Sequence, residues 1–278
     1  MELYSKNAFA VSRLTTRNYS TSFSLGVRLL DRRFRDPIYA IYGFVRYADE
    51  IVDTLDIPHK KELLERFREE TFTAIREGIS TNPVLQSFQY VVNEYSIQDE
   101  LIEAFLKSME MDLYRNSYDE QGYQDYIYGS AAVVGLMCLR VFYRGQDEEY
   151  RQLAGPARKL GEAFQKVNFL RDIRSDYRER GRIYFPGVDL DEFNEDTKKL
   201  IEEDIQADFD EAYQGIVRLN KASQLGVLIS YAYYLALFRK IRHTAAGEIL
   251  KKRYRISNFR KILIMISCWF RVKTGLIR

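Results

Sequence analysis

Residues 161–177 read GEAFQKVNFLRDIRSDY. Advanced by about 100° per residue, Gly161, Gln165, Asn168, Asp172 and Asp176 share one stripe about 80° wide. Phe164 and Val167 lie to one side of it, Phe169 and Ile173 to the other. A polar stripe between two apolar flanks is the pattern of a helix lining an internal cleft, because a solvated face would not be walled by phenylalanine on both sides.

The same period recurs along the chain. It predicts helices over roughly 21–30, 37–54, 59–77, 83–95, 99–116, 123–143, 147–177, 195–220, 224–242 and 256–271. Asp36-Pro37 and Asn82-Pro83 each read as an N-cap followed by proline at the first helical position. No alternating strand pattern, low-complexity linker or internal repeat interrupts the series. The stretch from Asp176 to Asn194 reads as a long loop of the kind that carries function. The fold class expected is all-α, one domain over residues 1–278.

With 278 residues, 46% of them hydrophobic, the chain can fill a sizeable core. Forty-two Lys and Arg against 40 Asp and Glu give no basic excess, so no nucleic-acid partner is expected. Two cysteines and two histidines argue against a disulfide scaffold and a cysteine- or histidine-based metal site. The N-terminus lacks the apolar core of a signal peptide, and no window reaches the roughly 18 apolar residues of a membrane span. The expected location is the cytosol.

A second stripe lies in the segment 46–53, RYADEIVD. Tyr39, Tyr42, Arg46, Asp49 and Asp53 align, flanked by Ile38, Ile41, Val45 and Val52, while Glu50 points about 100° aside. Asp49 and Asp53 are like charges at i and i+4, unfavourable when exposed and far more so when buried unpaired. Amides and carboxylates spaced one turn apart, without His or Cys, form an oxygen ladder suited to a hard divalent cation. Placed face to face, the two stripes surround a cavity with four aspartates and, on this reading, no adequate protein counter-charge. Metal ions and a diphosphate, the latter also held by Arg46 and Arg171, would complete the site. The chemistry implied is ionisation of a carbon–diphosphate bond.

At these residues the sequence resembles the squalene and phytoene synthase family, head-to-head prenyl transferases of the all-α isoprenoid synthase fold. YSTSF (19–23) resembles the family's diphosphate-binding Ser-x-Ser-Phe segment, and AIYGFVRYADEIVD (40–53) its first aspartate-rich motif. YIYGSAAVVGLM (126–137) is similar to its Tyr-x-Tyr-x-x-Ala-Gly helix, with Ser130 and Ala132 as departures. QKVNFLRDIRSDYRERGRIYFP (165–186) resembles the second aspartate-rich motif and the segment that closes over the site. The resemblance implies that Asp49, Asp53, Asp172 and Asp176, helped by Gln165 and Asn168, hold Mg²⁺ against diphosphate, with Mn²⁺ as the alternative ion. It implies that Ser20, Ser22, Phe23, Arg46, Arg171 and Arg253 bind substrate. Tyr42, Tyr126, Tyr184 and Tyr234 would line the cleft near the carbocation.

Two allylic diphosphates would then join through a cyclopropylcarbinyl diphosphate. The DEIVD form of the first motif and the compact chain resemble bacterial carotenoid enzymes, which implies geranylgeranyl diphosphate and phytoene, in carotenoid biosynthesis; the small residues Gly26 and Val27 would leave room for the longer chain. The alternative is dehydrosqualene or squalene from farnesyl diphosphate, with NADPH required only for squalene. A non-catalytic assembly protein of the same family ranks lower, since all four aspartates are present. The tail FRKILIMISCWFRVKTGLIR (259–278) reads either as a last core helix or as an interfacial segment resting on the inner face of an anionic membrane.

Overall fold

The computed structural model describes residues 2–53, 57–189 and 192–277. Its elements are α1 (Leu3–Tyr19), α2 (Thr21–Arg28), α3 (Arg32–Asp53), α4 (Lys60–Glu77), α5 (Pro83–Tyr95), α6 (Asp99–Tyr114) and α7 (Glu120–Ile127). A π-turn (Tyr128–Ala132) joins α7 to α8 (Val133–Phe142). There follow α9 (Asp147–Arg180), α10 (Glu195–Ile216), α11 (Lys221–Arg242), α12 (Ala246–Ile249) and α13 (Asn258–Thr274). Among the described residues there is no strand, only one isolated bridge between Ser117 and Ile183.

Local chemistry sets the boundaries. Asn82 caps α5, its Oδ1 accepting the Val84 and Leu85 amides at 3.0 and 3.4 Å, with Pro83 at N1 as expected. Pro37 does not start a helix: α3 begins five residues earlier, where Asp31 Oδ1 accepts the Arg33 amide at 3.1 Å. Asp36 instead pairs with Arg13 at 2.6 Å. Helix α9 runs four residues past Asp176 before Gly181, at φ 66°, turns the chain. The left-handed conformation there is one that glycine adopts without strain.

Two apolar clusters form the core. One gathers α1–α6, α8 and the start of α9 around the fully buried Phe44, Phe88 and Phe105; the other gathers α7, the rest of α9 and α10–α13 around Phe209, Phe238 and Leu170. Helix packing is tightest where side chains are missing. A Cβ on Gly135 would lie 2.4 Å from the Ala157 carbonyl oxygen, and one on Gly161 2.3 Å from that of Ala131. These two glycines let α9 approach α8 and the π-turn backbone to backbone. A cavity of about 730 Å³ runs where the two clusters meet, lined from α2, α3, α6, the π-turn, α8, α9, α10 and α11.

Candidate active site

Every polar member of the α9 stripe faces this cavity: Gln165, Asn168, Asp172 and Asp176, with Gly161 beneath them. From α3, Tyr42, Arg46, Asp49 and Asp53 face them across the opening. Tyr39, assigned to the same stripe, is 2% exposed in the first core cluster and does not line the cavity. Below the charged rim the lining turns apolar, through Ile41, Phe105, Val134, Leu160 and Ile216. From Asp176 down to Leu153 the wall follows roughly 35 Å of α9.

The aspartates do not lack protein counter-charge, which corrects the expectation from the stripes. Arg46 bridges Asp49 and Glu50, and Arg171 Nε donates to Asp172 Oδ1 at 3.0 Å. Arg253 approaches Asp172 to 2.7 Å, Arg180 approaches Asp53 and Asp176 to 3.3 and 3.1 Å, and Arg182 donates to Asp53 at 2.8 Å. Arg180 and Arg182 flank the turn at Gly181, beyond the periodic part of α9, so no stripe could reveal them.

Electrostatics remain unfavourable to the full set of charges. Burial first, then the neighbouring Asp53, pushes the Asp49 carboxyl up to about 6 against the opposing pull of Arg46. Burial and then Asp172 raise Asp176 to about 7. Asn168 Oδ1 is buried without a hydrogen-bond partner among the described residues. Like-charged carboxylates beside an unpaired amide oxygen are a donor set that fits a hard cation. Among the described residues, however, no three carboxylate, imidazole or thiol groups converge as a metal cluster. The ladders bring oxygens to opposite sides of the opening, and arginines occupy them.

Of the remaining expected residues, Ser20 caps α2, its Oγ accepting the Phe23 amide at 3.3 Å at the rim of the cavity. Ser22 is half-buried and, unlike Ser20 and Phe23, does not line the cavity. Phe23 stacks on Tyr42 with ring centroids 5.0 Å apart, and Tyr234 on Phe164 at 3.9 Å. Gly26 lines the cavity, yet a Cβ there would meet Ser230 Oγ at 2.2 Å. Its missing side chain therefore serves the contact of α2 with α11 and adds little room for a longer substrate. Ser130 sits in the π-turn at the cavity wall, its hydroxyl buried and without a partner among the described residues.

Tyr126 and Tyr184 converge on a residue the stripes did not reveal. Asp112 Oδ2 accepts the Tyr126 hydroxyl at 2.7 Å, and Oδ1 accepts those of Tyr118 and Tyr184, both at 3.3 Å. Arg182 donates to the Asp112 carbonyl at 2.7 Å, tying the chain just after Gly181 to α6. The Tyr184 ring stacks on Phe169 at 4.1 Å. Burial drives the Tyr126 and Tyr184 hydroxyls well above the usual phenol range, so both stay protonated as donors.

The helical bundle has the all-α isoprenoid synthase fold. A family model described as squalene/phytoene synthase matches residues 16–260, and the chain belongs to that family of head-to-head prenyl transferases. A 4,4'-diapophytoene synthase of Staphylococcus haemolyticus is 25% identical over 88% of this chain and 90% of its own. A phytoene synthase of Cereibacter sphaeroides is 31% identical over 76% of this chain and 62% of its own. Thus the chain spans nine-tenths of the first relative's length but under two thirds of the second's. Among solved structures, a dehydrosqualene synthase superposes with a TM-score of 0.82 over 97% of this chain and 98% of that one, at 22% identity. A squalene synthase from Alicyclobacillus acidocaldarius gives 0.76 over 91% and 98%, also at 22%. At that identity the two structures speak for the fold alone.

Proposed function

We propose that the chain joins two molecules of geranylgeranyl diphosphate head to head, giving phytoene by way of a cyclopropylcarbinyl diphosphate. The observation that carries this is the facing pair of aspartate ladders set at the rim of one long apolar cavity. A diphosphate head belongs at the rim and a polyprenyl tail below it. Relatives named phytoene synthase support the C20 substrate. The Staphylococcus relative, matched over nearly its full length, supports a second reading in which two farnesyl diphosphates give a C30 hydrocarbon.

Asp49, Asp53, Asn168, Asp172 and Asp176 would hold Mg²⁺, or Mn²⁺ in its place. When bound, the ion supplies positive charge to the departing diphosphate. The chain's own groups do the rest. Arg46, Arg171 and Arg253, released from their aspartates, hold diphosphate oxygens in charge-assisted hydrogen bonds. The N-terminus of α2 at Ser20 adds backbone dipoles of the right sign. As the C–O bond breaks, its electron pair leaves with diphosphate. The allylic cation is captured by the double bond of the second substrate, and a proton passes to the released diphosphate as the cyclopropane closes. The cyclopropylcarbinyl diphosphate ionises in turn, and its cation rearranges and sheds a proton to the released diphosphate.

The stacked pairs Phe23–Tyr42 and Phe164–Tyr234 line this path, and aromatic rings attract positive charge. The apolar wall below them keeps water from quenching the cation. Incubation of the purified protein and Mg²⁺ with C15 or C20 diphosphate, with and without NADPH, tests the proposal. A C40 hydrocarbon independent of NADPH is expected; a dominant C30 hydrocarbon would replace it with the second reading.

A further inference from the structure

Helix α13 has two apolar faces, and the described residues cover one of them. Ile264, Met265, Cys268 and Val272 turn inward onto the second core cluster. On the opposite side Phe259, Ile262, Leu263, Ile266, Trp269 and Phe270 are each between 49% and 72% exposed. These six fall within an arc of about 120° on a helical projection, a continuous stripe along the whole helix. Scattered apolar residues are ordinary on a protein surface, but a contiguous stripe marks an interaction site.

Charge says what covers it. Residues 251–278 contain nine Lys and Arg and no Asp or Glu, in a chain whose net charge is only +2. The rest of the molecule is therefore net acidic and the cations are concentrated here. Exposed Arg255 and Arg260 stand at the start of the stripe; Lys273 stands at its end, its Nζ 5.9 Å from the Trp269 ring centroid. We propose that α13 lies flat on an anionic lipid bilayer, with its outer apolar face in the boundary between headgroups and acyl chains. Self-association through the same face would bring two cationic segments together, which disfavours a second copy as occupant.

Spanning is excluded for this helix: its 17 residues rise only about 25 Å, short of a hydrocarbon core of about 30 Å, and its inner face is already packed. Among the described residues one helix, Glu120–Phe142, is long and apolar enough to cross a membrane, but most of it is buried in the core. Docking would set the cavity opening beside the lipid. Arg253, just before α13, contacts Asp172, and Lys261 Nζ reaches Thr21 Oγ1 at 3.4 Å at the start of α2. Exchange of prenyl chains and hydrocarbon with the bilayer then follows from the proposed reaction, whereas the docking itself does not depend on it.

Trp269 is the only tryptophan, so its emission reports on this face directly. The full chain is mixed with vesicles of phosphatidylcholine containing phosphatidylglycerol, or of phosphatidylcholine alone, and followed by co-sedimentation and fluorescence. Expected are a blue shift with the anionic vesicles, quenching by bromine-labelled acyl chains, and partitioning at least about tenfold weaker without phosphatidylglycerol. The double variant Leu263→Asp, Ile266→Asp alters two exposed side chains and should keep the wild-type circular dichroism and melting curve. It should lose about tenfold or more in partitioning. Wild-type protein that stays in the supernatant, a double variant that binds like the parent, or a lipid-free dimer that shields Trp269 would each overturn the proposal. None of these readouts requires turnover, so failure here is separable from failure of the reaction.

Discussion

Asp112 holds three tyrosine hydroxyls and faces Arg182 while only 7% exposed. Burial, outweighing the opposite effects of Arg182 and of the Tyr126 hydrogen bond, pushes its carboxyl up to about 7. The folded protein thus binds this proton more tightly than the unfolded chain, where an aspartate titrates near 3.9. Stability must then fall as pH rises from roughly 4 to 7 and stay low above it, because the native state binds the extra proton across that window. Asp112→Asn should lose less melting temperature than the parent between pH 5 and pH 7.5; equal losses would contradict the assignment. Asp49→Asn and Asp172→Asn, at the rim, should lower turnover of prenyl diphosphate by roughly 100-fold or more while leaving the fold intact, measured as diphosphate release. The rim aspartates were legible because each pair repeats at four-residue spacing on one helix. Asp112 and Arg182 were not, since they meet only in the folded chain, 70 positions apart.

Helices α3 and α9 present the two ladders, and their placement depends on close backbone contacts elsewhere. Replacing Gly135 by alanine puts a methyl 2.4 Å from the Ala157 carbonyl oxygen, a backbone atom that cannot swing away. Gly135→Ala should cost about 1–3 kcal/mol of unfolding free energy, read from denaturant melts; an unchanged midpoint would show that α8 and α9 can part without loss. At this scale most helices announced themselves through apolar period and caps, as α5 did. Helix α1 did not, because its buried face is made of Ala8, Ser12, Thr15 and Thr16 as well as Phe9. Ser12 Oγ meets Ser87 Oγ at 2.7 Å, and Gly43 leaves room for that hydroxyl, so the contact is small and polar where a pattern search looks for large apolar residues. Pro37 misled for the opposite reason. Proline favours a helix start, but Asp31 supplies a cap upstream and the helix simply runs through. The π-turn at Tyr128–Ala132 carries no local signature beyond small residues, so one continuous helix was the natural expectation.

As a whole, the molecule encloses an apolar cavity and concentrates opposing charge at its rim. Arginines now neutralise the aspartates in pairs, and binding of diphosphate together with Mg²⁺ would exchange partners on both sides. Mg²⁺ and inorganic diphosphate added together should therefore raise the melting temperature more than the two separate shifts combined, since each supplies the charge the other needs. Simple additivity would argue that they bind apart. The test closest to the central claim counts both products of a single incubation with geranylgeranyl diphosphate and Mg²⁺, using the parent and Asp172→Asn. Two diphosphates released per C40 hydrocarbon from the parent, and neither product from the variant, is the result expected. Diphosphate release accompanied only by a prenyl alcohol, or a variant as active as the parent, would contradict it.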